Sequence, residues 1–146
     1  MSKLSSIFLR ALPGAYIINS GVGKIGMPAE ASEGLQQYAA TGVPFVKVIP
    51  AEKFGTVLGA SEVGVGALML APFVGNRLAG AGLTAFSAGL LSLYFANPEN
   101  TQADGVRPTD EGLSLSKDVF MLAIGAALMA DGNDKKAKKN KKAKKK

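Results

Sequence analysis

Apolar residues along this chain gather into four long runs, separated by polar, proline-containing connections. The first covers 7–26, with an uncharged centre at 11–23 between Arg10 and Lys24. The second, 54–74, is 21 residues long and carries one ionisable side chain, Glu62, near its middle. The third, 78–96, has 19 residues and no charge, and the fourth, 113–130, is apolar apart from Lys117 and Asp118. About 20 helical residues cross the ~30 Å hydrocarbon core of a bilayer. The second and third runs are apolar on all sides, whereas a soluble bundle shows a polar face every 3.6 residues. The pattern therefore predicts an all-α integral membrane four-helix bundle formed by residues 1–130. The first run has no small-residue cleavage site before Lys24, so it reads as a retained span rather than a secretory signal.

The connections are unequal. The long one, 27–53, holds Pro28, Pro44 and Pro50, and its segment EASEGLQQYAATG predicts a short helix at the interface, ended by Gly42 and Pro44. A tight turn, PFVGNR, joins the second and third runs, and 97–112 is polar, with Pro98 and Pro108 inside it.

Charge is segregated. Residues 131–146 hold nine Lys and two Asp, leaving eight basic and nine acidic side chains for the rest of the chain. The formal +6 thus belongs to a polybasic tail, which reads as disordered because it has no apolar residue larger than Ala and repels itself. The tail lacks aromatic residues to stack on bases, so nucleic acid is not its expected partner. Anionic lipid headgroups are, through Lys135, Lys136, Lys138 and Lys139 among others. Arg10, near the same face, is expected to snorkel to headgroups. Basic residues favour the cytoplasm, which places both termini and the Arg77 turn inside and the two longer loops outside. The expected location is a membrane that the chain crosses several times.

The chain has no Cys and no His. Disulfides, thiol redox centres, catalytic histidines and the zinc or haem sites that need these ligands are excluded. No metal-ligand spacing is present among the carboxylates. The chemistry lies in the spans instead. A mid-membrane carboxylate costs at least ~2.5 kcal/mol and is rarely idle. A rise of ~1.5 Å per residue puts Lys24, Asp118, Asn19 and Glu62 at ~3 to ~12 Å from the outer face. Asn19, Lys24, Glu62 and Asp118, with Lys117 beside them, are therefore expected to line one polar pocket, with Glu62 paired to Lys24, Lys117 or both. Gly55 and Gly59 form a GxxxG, followed by Gly66, and Ala81, Ala85 and Gly89 form a small-residue stripe that suits close helix packing.

The stretches RALPGAYIINSGVGKIG, GASEVGVGALMLAPF and KDVFMLAIGAALMA, in this order, resemble the DoxX family of small four-helix bacterial membrane proteins. The likeness picks out Arg10, Gly21, Lys24, Glu62, Gly66, Lys117 and Asp118. It implies an accessory subunit rather than an enzyme on its own, working with a membrane-associated oxidoreductase. Quinone or lipid is the implied occupant of the Glu62 pocket, with no other cofactor; oligomerisation stays open. Two other readings of the residues remain: a small proton-coupled transporter using Glu62, and an assembly factor with no small ligand and a structural ion-pair lock.

Overall fold

In a computed structural model, side chains are described for residues 1–131, and the backbone of the last helix to Ala143. Residues 144–146 and the side chains from 132 onward are outside the described set, and so are the lipid contacts expected of Lys135, Lys136, Lys138 and Lys139. The chain is all-helical, with no strand among the described residues. Helix α1 is Lys3–Val22, α2 Ala29–Gly42, α3 Ala51–Leu70, α4 Asn76–Ala96, α5 the single turn Leu113–Ser116, and α6 Asp118–Ala143. The segments Ala51–Leu70, Asn76–Ala96 and Leu113–Asp131 are long and apolar enough to cross a membrane.

Helices α1 and α3 form one close pair, and α4 and α6 another. Glycine makes both approaches possible. A Cβ placed on Gly21 would lie 2.5 Å from the Gly59 carbonyl oxygen, and one on Gly59 would lie 2.5 Å from that of Gly21. About two turns further along, Gly66 packs on Gly14 and Ile18 in the same way. Gly80 and Gly125 bring α4 and α6 into backbone contact. Small residues at such crossings allow main chains to touch and raise the number of dispersion contacts per turn.

The two pairs are joined at the end that carries the N-terminus. There Ile17, Met69, Leu83 and Leu128 close around Ala79. Asn76 opens α4 and donates from Nδ2 to Asp131 at 2.8 Å, while its Oδ1 accepts from Ser6 at 2.9 Å. Asp131 is thus buried in the bundle, and the tail does not begin there: the α6 backbone continues as helix to Ala143 instead of ending at 130.

The sequence reading of Arg10 as a headgroup contact is corrected here. Its guanidinium turns inward and caps the C-terminus of α3. It donates to the carbonyls of Met69, Ala71 and Val74 at 2.7 Å each, to that of Leu68 at 3.1 Å, and to Asn76 Oδ1 at 3.2 Å. The last carbonyls of a helix lack intrahelical donors, and they carry the negative end of its dipole. A planar five-donor fork can satisfy several of them together; an ammonium group cannot match this geometry. Arg10→Lys is therefore expected to lower stability by about 2 kcal/mol. Unfolding of the detergent-solubilised protein measures this, and an unchanged midpoint refutes the capping role.

At the opposite end the pairs diverge, and the long connection fills the gap. Helix α2 folds over the diverging ends, with Ser32, Gln36, Ala39 and Ala40 buried. Ser32 Oγ donates to the Ala51 carbonyl at 2.6 Å and accepts from the Gly55 N–H at 2.8 Å. Gln36 Nε2 donates to the carbonyls of Val46 and Ile49, which holds the 3-10 turn Pro44–Val48 against the helix. A second core forms from Ala39, Phe54 and Leu93. Loop 97–112 is tied down by Asn100, whose buried amide donates to the carbonyls of Leu93 and Tyr94 and to the Tyr38 hydroxyl. At the loop tip the Arg107 guanidinium beside Asp104, helped by the N–H groups of Val106 and Arg107, holds the Asp104 carboxyl below its ordinary range.

Candidate functional site

Divergence of the two pairs leaves a cavity of about 800 Å³ between the two cores. Every α-helix contributes to its wall. Most of the lining is apolar: Ile17 from α1, Leu35 and Ala39 from α2, Phe54 and Leu58 from α3, Phe86 and Leu90 from α4, and Met121 from α6. Ligand sites typically span ~300–1,000 Å³, with apolar walls and a few polar groups, so the space suits a small amphiphile.

The polar groups are unevenly placed. On the α1–α3 side, Lys24 Nζ donates to Glu62 Oε2 at 2.9 Å and to Ser20 Oγ at 2.7 Å. Glu62 is 3% exposed. The Gly21–Gly59 approach explains why they meet: it brings the end of α1 against α3 within reach of a lysyl side chain. A buried carboxylate to which an ammonium group donates is less costly to hold in place than one left without a partner. On the facing side stand Asp118, which begins α6, and Lys117, which lies exposed at the rim. Asp118 is 6% exposed, and among the described residues no hydrogen bond or ion pair reaches it.

The fold thus gathers Lys24, Glu62, Lys117 and Asp118 on one cavity, and joins Lys24 to Glu62. Lys117 makes no ion pair with Glu62 among the described residues. Asn19 is not part of the group. It lies exposed on the outer face of α1, and the neighbouring Ser20 faces the cavity in its place. Depth along a helix does not give direction, since one residue turns the side chain by ~100°. Ser20 precedes Lys24 by four residues, and this one-turn spacing was the available signal. Residues of α2 and of Pro44–Val48 were also not expected here, because a helix lying on an interface and a helix folded over a bundle have similar sequences. Ala85 and Gly89, read as a packing stripe, line the cavity, and a Cβ on Gly89 would meet nothing within 4 Å.

Among the described residues no group of carboxylates has the arrangement of a metal site. Family models, curated proteins and solved structures give no match to this chain.

Proposed function

We propose that this chain is a four-span accessory membrane protein that holds an amphiphile, a quinone in the first place, in the cavity between its helix pairs and serves a membrane-associated oxidoreductase. The observation that carries the reading is the cavity itself: about 800 Å³, apolar on most of its wall, with a Lys24–Glu62 ion pair and Asp118 at its polar side. An isoprenoid chain suits the apolar wall, and a ring bearing oxygens suits the polar side. The DoxX resemblance, with the redox association it implies, points the same way.

Helix α1 supports a fourth span. It presents Leu4, Ile7, Phe8 and Leu12 outward, each more than half exposed. An outward apolar face on a helix whose inner face is also packed is what lipid surroundings permit and water does not. Orientation follows from the basic residues, with both termini and Arg77 on the cytoplasmic side and the α2 end, with the cavity, outside. In this arrangement the lysine-rich segment borders the cytoplasmic leaflet of a bacterial plasma membrane.

The pairing of Lys24 with Glu62 argues against the transporter reading, because a neighbouring ammonium stabilises the ionised carboxylate and repels a cationic substrate. The assembly-factor reading differs in leaving the cavity without a specific occupant.

Extraction in mild detergent, followed by mass spectrometry of retained lipids and quinones, tests the proposal. We expect retained quinone in the wild type and its loss in Gly89→Leu, which fills open space without a backbone clash and leaves the bundle folded. Absence of quinone from the wild type, together with no redox protein on gentle pull-down, refutes the reading.

A further inference from the structure

Asp118 is the feature that the ion pair leaves unexplained. Its residue is more than nine-tenths buried, it borders the cavity, and among the described residues it has no hydrogen-bonding or ionic partner. Glu62 faces the same space, so a second carboxylate stands nearby while Lys24 is engaged by Glu62 and Ser20. Among the described residues no fully buried side-chain oxygen or nitrogen lacks a partner, so the Asp118 carboxylate opens onto the cavity and meets whatever fills it. An ionised carboxylate only accepts hydrogen bonds. The group that suits it is therefore a donor, and although Lys117 and Ser114 line the same wall, neither bonds to Asp118 among the described residues.

We infer that Asp118 accepts a hydrogen bond from a hydroxyl on the ring of the cavity's occupant, so that the reduced, hydroxyl-bearing quinol binds more tightly than the quinone. The inference rests on the amphiphile reading above and adds a preference between two redox forms that share one shape. Both forms meet the same apolar wall and the aromatic side chains Tyr16, Phe54 and Phe86. They differ at the ring oxygens: the quinol donates, while the quinone carbonyl only accepts and would set an oxygen against the Asp118 carboxylate. Hydrogen bonds to charged groups separate such analogues by about tenfold or more.

The test uses the full chain in detergent, freed of retained lipid, under anaerobic conditions at pH 8, well above the ordinary aspartate range. A short-chain benzoquinol and its benzoquinone are titrated separately, with binding read from tyrosine fluorescence of a chain that has no Trp. Expected are at least tenfold tighter binding of the quinol, and a bound-couple midpoint raised by about 30 mV for each factor of ten. Asp118→Leu should bring the two affinities together, since it removes the acceptor. Asp118→Asn, which keeps size and an acceptor oxygen, should retain only part of the preference and serves if the leucine variant does not fold. Equal affinities in the wild type, or a preference unchanged in both variants, overturn the inference while leaving the amphiphile reading intact. Binding of neither form overturns that reading itself, as does a retained aminophospholipid that neither form displaces.

Discussion

Gly59→Ala is expected to destabilise the bundle by about 2 kcal/mol, whereas Gly64→Ala, five residues along the same helix, should be neutral or stabilising by about 0.5 kcal/mol. Both changes add one methyl group to α3 and raise helix propensity equally. At Gly59 the new carbon would lie 2.5 Å from the Gly21 carbonyl oxygen and 3.1 Å from side-chain atoms of Lys24 and Ile25, so the two main chains must separate. At Gly64 it meets nothing within 4 Å. Separation of α1 from α3 also lengthens the Lys24–Glu62 contact, so the same variant should weaken binding at the cavity. Unfolding of the two variants in one detergent gives the comparison directly. Equal stability would show that α1 and α3 are not in main-chain contact.

Lys24→Met should cost about 3 kcal/mol, and Glu62→Leu only about 1 kcal/mol. The asymmetry follows from burial. The Glu62 side chain is 4% exposed and the Lys24 side chain 24%. Loss of the ammonium leaves a short carboxylate in an apolar wall, with no route to water. Loss of the carboxylate leaves a long side chain that keeps Ser20 Oγ and can extend its charge outward. The double variant Lys24→Met/Glu62→Leu removes both charges and should lie close to the wild type, within about 1 kcal/mol, because apolar replacements of a buried pair are often neutral. A double-mutant cycle reads this coupling. Additive losses, or a larger cost for Glu62→Leu, would show that the pair does not hold the carboxylate in place.

Much of this architecture is legible without coordinates. Runs of about 20 apolar residues with no polar face have few options but helices that bury or immerse every side, so the elements at 54–74 and 78–96 appear close to their observed limits. The helix over EASEGLQQYAATG could also be read, since Gly42 and Pro44 end it. Glu62 stands out for a local reason: a lone carboxylate in such a run demands a partner, and Lys24, a cation at similar depth, was one of the two candidates. Selection between Lys24 and Lys117, however, depends on which helices touch, and that is decided where Gly21 meets Gly59.

Tertiary structure alone decided the rest. Asn19 and Ser20 have similar depth and polarity, and only the rotation of α1 in its packed pair turns Ser20 inward. Arg10 has a side chain long enough for either a headgroup or a helix terminus, and the position of the α3 C-terminus beside it settles the matter. Charges at similar depth point to a polar pocket, but the size of the cavity and its largely apolar wall have no counterpart in the linear pattern. It exists because two pairs, each drawn together by glycines, join at one end around Leu83 and Leu128 and diverge at the other, where α2 closes over them. Composition and periodicity determine that segments become apolar helices, since those depend on neighbours within a few turns. The space left between helices depends on contacts between residues distant along the chain, and so do the side chains that meet in it.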